Sequence, residues 1–164
     1  MPITQAANVR APFFVRHGYA FLYPFRRGHG PSANQAPFMQ DLLRREEESK
    51  GKDARQHLQF VLLTTDHLDD VMAALAFLKT VPGIDPDRIA IAGHSFAGNL
   101  TLLAVERDRT VRAAVTFTAA ANSWDGSPEL RERLMTAARN AKTSAQPRAR
   151  LWRQNLSTCT NRMF

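Results

Sequence analysis

Gly93-His94-Ser95-Phe96-Ala97-Gly98 has the residue types and spacing that could make a serine hydroxyl a nucleophile. In a G-x-S-x-G elbow the serine sits on a sharp, strained turn from strand to helix with its hydroxyl exposed. The turn is tight enough that the residues two before and two after the serine must be small. Gly93 meets the first demand. Ala97 departs from glycine at the second by one methyl group, and Gly98 follows it directly. The chemistry on offer is acyl transfer, in which the hydroxyl attacks a carbonyl carbon while a histidine takes its proton and a carboxylate orients that histidine.

Such a serine needs a strand before it and a helix after it. Arg88 to Ala92 reads as a short buried strand of Ile alternating with Ala, and Leu100, Leu103 and Ala104 continue a helix beyond Ser95. Val111 to Ala119, "VRAAVTFTA", reads as the next strand. Upstream, Ala11 to Val15 closes a helix that stops at His17-Gly18, and Tyr19 to Phe25 reads as an aromatic strand ended by the turn "RRGHGPS". Gln35 to Arg55 is helical and then highly charged, with mixed signs that mark a solvated face, and Leu58 to Leu63 opens another helix. The clearest helix is Asp66 to Leu78. Leu68, Val71, Met72, Leu75 and Leu78 form one apolar stripe, and Asp66, Asp69 and Asp70 complement the helix dipole in its first turns. Glu129 to Ala141 is a further amphipathic helix. Strand and helix therefore alternate, which predicts an α/β fold with a parallel sheet and flanking helices.

The segments "HGYAFLYPFRRGHGPS", "DHLDDVMAALAFLKTVPGIDPDRIAIAGHSFAGN" and "VRAAVTFTAA" resemble α/β-hydrolases of the dienelactone hydrolase and prolyl-oligopeptidase kind. The resemblance runs from about Arg10 to Lys142 and rests on order: an R-G-x-G turn, an amphipathic helix, D-P-D-R-I, then G-H-S. It implies Ser95 as the nucleophile and the Phe96 backbone N–H as one oxyanion donor. His94, within the family's G-H-S, lines the elbow with Gly93, Ala97 and Gly98.

The resemblance also implies partners that have no matching position. In this family the order is Ser, then Asp or Glu, then His. The five histidines are His17, His29, His57, His67 and His94, and none follows Ser95. Of the acids after it, Asp108 lies in the charged helix end "ERDR" and reads as solvated. Asp125, in "NSWDGS", reads as a polar turn. A central strand carrying the second oxyanion donor is not matched either, nor are the first and last strands. The expectation is a partial α/β-hydrolase fold with exposed sheet edges through which the chain could associate with itself.

Residues 1–132 hold fifteen Lys or Arg and fifteen Asp or Glu, whereas seven basic residues and no acid follow Glu132. The basic excess is a property of the tail, not of a face. Residues 1–142 are expected to be the hydrolase core and residues 143–164 a basic tail, read out of the ancestral frame or following a truncation. Arg148, Arg150, Trp152 and Arg153 would suit nucleic-acid binding, a reading weakened by the dispersal of the charge. The other alternative is a non-catalytic interaction protein. No cofactor or metal is expected, because no histidine pair is spaced i, i+4 and Asp66-His67 with Asp69-Asp70 reads as a capped helix start. The lone Cys159, the lack of a signal-like segment and the lack of an 18-residue apolar run point to a cytoplasmic protein, not a membrane one. The resemblance implies a serine hydrolase acting on a small ester or peptide-like molecule, and the unmatched base and acid imply that this chain is impaired or inactive.

Overall fold

The computed structural model describes residues 3–117 together with Glu132 and Thr136. The chain divides into two compact units, Met1–Pro86 and Asp87–Phe164.

The first unit is helical. α1 (Ile3–Arg16) ends just before the expected His17-Gly18 stop. The aromatic run after it is extended but is not the strand expected from Tyr19 to Phe25, because its backbone joins no ladder. A strand needs a neighbour to take its hydrogen bonds, and among the described residues none lies beside it. The period of two nevertheless survives in the side chains. Phe21, Tyr23 and Phe25 are half-buried while Leu22 and Pro24 are exposed. Their rings follow one another, with Phe21 stacked on Phe14 of α1 at 5.3 Å and Tyr23 against Phe25 at 5.5 Å.

The charged stretch 35–55 is broken in two, α2 (Met39–Lys50) and α3 (Lys52–Thr64), by Gly51 at φ 89. Only glycine takes that conformation without strain, and its N–H closes α2 on the Glu47 carbonyl at 2.9 Å. Leu43 and Leu63 are fully buried, while Arg44–Asp41, Lys50–Glu46 and Arg55–Glu47 pair on the outside. The mixed charges are thus a solvated face, as expected. α4 (Asp66–Thr80) carries the expected stripe, with Leu68 and Leu75 buried and Val71, Met72 and Leu78 half-buried.

The second unit is a βαβ unit. β1 (Ala90–His94) and β2 (Ala113–Phe117) pair in parallel, Ala90 with Ala113 through His94 with Phe117, and α5 (Phe96–Arg107) crosses between them. β1 begins two residues later than expected because Pro86–Arg88 forms a 3₁₀ turn. It is also not a buried strand. Ile91 and Gly93 face the covered side, whereas Ala90, Ala92 and His94 are exposed, as are Ala113 and Phe117 beside them. A parallel sheet is ordinarily covered on both faces. Among the described residues the outer edges of β1 and β2 pair with no further strand. α5 is buried at every position from Gly98 to Ala104, the polar Asn99 and Thr101 included.

The fold is α/β, helix-rich with a two-stranded parallel sheet, and fits part of an α/β-hydrolase. No helix among the described residues is long and apolar enough to cross a membrane. Apart from Glu132 and Thr136, the helix expected at 129–141 lies outside the described residues, as do Asp125 and the basic tail.

Candidate active site

Ser95 joins β1 to α5 at φ 54, ψ −121, and it is the one non-glycine residue of positive φ among those described. These angles belong to the first central position of a type II′ turn, where glycine is the usual occupant. Held there, a side chain costs on the order of 1–3 kcal/mol. The surrounding backbone imposes the conformation. The Ser95 N–H donates to the Phe117 carbonyl of β2 at 2.9 Å, and its carbonyl accepts from the N–H groups of Gly98 (2.8 Å) and Asn99 (3.2 Å), which start α5. One residue is thus tied to the end of the ladder and the first turn of the helix.

The commonest reason for a serine before a helix is to cap it with its hydroxyl. Ser95 occupies the N-cap position without making that bond, and its side chain is exposed. Phe96 is the first residue of α5. Replacing Ser95 by glycine is expected to stabilise the protein by about 1 kcal/mol. Relief of strain outweighs the extra freedom of the unfolded chain, and a raised urea midpoint with unchanged slope would register it.

Gly93 and Ala97 answer to unequal constraints. A Cβ at Gly93 would run into the Ala97 backbone carbonyl and come within 2.5 Å of Thr101 Oγ1, which itself donates to the Ala97 carbonyl at 2.9 Å. The Ala97 side chain, by contrast, is exposed. The elbow needs a small residue where β1 passes under the helix and tolerates a methyl where the helix turns outward, which accounts for the departure at position 97. Gly98 is buried in the first turn.

Among the described residues no general base is placed on this serine. Among the described residues no side chain hydrogen-bonds the Ser95 hydroxyl. His94 is the single histidine in the unit that holds Ser95, and it lies on the exposed face of the sheet, in register with Phe117. Asp108 is not a freely solvated acid. It is half-buried at the end of α5 and accepts from the N–H (3.0 Å) and hydroxyl (2.7 Å) of Thr110, closing the turn into β2. Among the described residues no three His, Cys, Asp or Glu side chains are grouped to hold a metal ion.

The first unit holds a polar cluster that local sequence reasoning missed. Gly28, at φ 74, lies so close to the Pro37 carbonyl that any Cβ would collide with it, so the R-G-x-G turn folds back tightly. This brings Arg27 onto the head of α4. Its backbone N–H donates to Asp70 Oδ2 (2.9 Å), and its Nε and Nη2 donate to Asp70 Oδ1 (2.9 and 2.8 Å). Its Nη1 lies 3.3 Å from Asp66. The expected capped helix start is corrected accordingly. Thr65, at the N-cap, turns its hydroxyl back to the Val61 carbonyl, and the acids that follow are held by Arg27. Burial alone would raise the Asp70 carboxyl, but the Arg27 hydrogen bonds and charge prevail and hold it below its ordinary range. The same contacts raise Arg27. Burial lowers the Arg26 guanidinium, against the pull of Asp70. His67, 3% exposed, meets the His29 ring at 6.0 Å. Burial first, then the charges of Arg26 and His29, lower the His67 imidazole to about 4.

No curated protein and no solved structure matches the chain. The family model described as "Dienelactone hydrolase family" matches residues 36–145, which take in α2 to β2 and with them the Ser95 elbow. With that match spanning well over half of its length, the chain belongs to the dienelactone hydrolase family, whose members are hydrolases of the α/β-hydrolase type.

Proposed function

We propose that the chain is a serine hydrolase of reduced competence, in which Ser95 attacks the acyl carbon of a small ester or related acyl compound. The observation that carries this reading is the backbone of Ser95, held at positive φ with its hydroxyl neither capping the helix nor, among the described residues, hydrogen-bonded to a neighbour. A residue is kept in such a conformation where function requires it. Attack forms a bond from Oγ to the carbonyl carbon and expels the alcohol, leaving an acyl-serine that water then cleaves. In this reading the N–H of Phe96, at the positive end of α5, would support the oxyanion.

Both steps need a base for the hydroxyl and water protons. No histidine follows Ser95 among these 164 residues, so the chain by itself is expected to work below the about 10³–10⁴-fold over water that serine hydrolases keep when they lose a triad member but retain the whole oxyanion hole, because its second oxyanion donor is unmatched. Incubation of the purified protein with a fluorophosphonate probe tests the reading. Slow labelling that disappears in Ser95→Ala is expected. Labelling that persists in the variant, or none at all in a sample whose circular dichroism is folded, would show that Ser95 is not a nucleophile.

A further inference from the structure

We propose that the outward face of α1 is a docking surface for an anionic lipid bilayer, on which the helix lies in the plane of the headgroups. This goes beyond the hydrolase reading and uses none of its residues. At 3.6 residues per turn, Ala7, Ala11 and Phe14 share one side of a helix. These three are half-buried, with Phe14 stacked on Phe21. On the opposite side Val9 and Phe13, four residues apart, form an apolar pair that is 65% and 49% exposed. Arg16 borders this pair on one flank and Arg10 on the other, and both are exposed. The Phe13 ring is held in place by Phe14 at 5.5 Å and by His17 at 4.5 Å, whose Nδ1 donates to the Phe13 carbonyl at 2.7 Å. An apolar pair thus stands preset on the surface between two guanidiniums.

Charge selects the partner. Residues 1–40 hold four arginines and no Asp or Glu, the first acid being Asp41. Arg27 is engaged by Asp70, whereas Arg10 and Arg16 face outward. A bilayer with anionic headgroups complements both features at once. Its surface potential attracts the guanidiniums, and its acyl boundary takes the apolar side chains between them. A nucleic acid would satisfy the arginines and leave Val9 and Phe13 in water, and a neutral bilayer would do the reverse.

The helix suits lying on a membrane and not crossing it. It has 14 residues, against about 20 for a span. Pro12, within it, has no N–H to give the Asn8 carbonyl. Such a gap is accommodated at a hydrated interface and is costly in hydrocarbon.

Flotation of the full chain with vesicles is the test, using phosphatidylcholine alone and equal parts phosphatidylcholine and phosphatidylglycerol. Binding is expected to the mixed vesicles and not to the neutral ones, weakening as salt rises. Arg10→Gln and Arg16→Gln should each lower the partition coefficient about 5-fold, and Phe13→Ser roughly 10-fold. Because Phe13 also touches Phe14 and His17, Val9→Ser supplies a second apolar variant at a more exposed position, with a loss of about 5-fold expected. No binding to the mixed vesicles would overturn the proposal. So would equal binding to neutral vesicles. So would binding that the arginine variants weaken but Val9→Ser and Phe13→Ser, in samples folded by circular dichroism, leave intact, which is the behaviour of a nucleic-acid site or of the basic tail.

Discussion

Replacing Gly93 by alanine should destabilise the second unit by about 3 kcal/mol or more and abolish labelling of Ser95 by an acyl-site probe. Overpacking a filled interior ordinarily costs about 1–3 kcal/mol, because side chains shift to absorb the added volume. At Gly93 the obstacle is chiefly backbone: the new methyl falls on the carbon and oxygen of the Ala97 carbonyl, with Thr101 Oγ1 as the nearest side-chain atom. A carbonyl in the first turn of α5 yields only if the helix lifts from β1. That would pull on the bonds fixing Ser95, from its N–H to Phe117 and from its carbonyl to Gly98 and Asn99. Folding and the nucleophile's conformation should fail together. Two companion variants separate this account from a general intolerance of substitution. Thr101→Ala in the Gly93→Ala background removes the hydroxyl but not the carbonyl, so it should recover less than half of the loss. Ala97→Gly removes an exposed methyl and should cost only about 0.5–1 kcal/mol, the ordinary penalty of glycine in a helix. Urea denaturation followed by circular dichroism, with the probe reaction run in parallel, measures all three.

How much of this could be read from the chain depended on whether a feature was local. The βαβ unit was legible because Ile89, Ile91 and the run Val115-Thr116-Phe117 sit around a glycine, a serine and a helix start in fixed order. The elbow was legible for the same reason, since its constraint acts over four residues. Two other features were accessible but underweighted. Gly51, between Lys50 and Lys52, marks the break between α2 and α3, and Pro86 marks the turn that delays β1. The aromatic run was misread in a more instructive way. Phe21, Tyr23 and Phe25 do alternate, but alternation reports which side chains share a face, not whether another backbone is present to pair. The Arg27 cluster was not legible at all. Asp66 and Asp70 at the head of a helix have a sufficient local explanation in the helix dipole. Only the fold shows that a guanidinium 43 residues away has taken Asp70 instead.

Removing that carboxylate is the second change from which a large effect is expected. Asp70→Ala should destabilise the first unit by about 2–3 kcal/mol, because it deletes three charge-assisted hydrogen bonds at once and leaves Arg27 without its main acceptor. The Asp70 side chain is 19% exposed and that of Arg27 34%, so water recovers part of the loss and keeps the figure below that of a fully buried pair. Asp66→Ala serves as the internal contrast. Its contact with Arg27 is 3.3 Å long and its side chain 48% exposed, so a change within about 0.5 kcal/mol is expected. Asp70→Asn preserves the shape but not the charge. Its effect should therefore depend on pH, since the folded protein holds the Asp70 carboxyl below its ordinary 3.8. The wild-type contribution is present above that value and is lost as the pH falls through the folded one. Wild type and Asp70→Asn should thus differ most near neutrality and converge as the pH falls below 3.8. An Asp70→Asn deficit that stays constant as the pH falls well below 3.8 would mean that the carboxylate charge is not what binds the turn to α4.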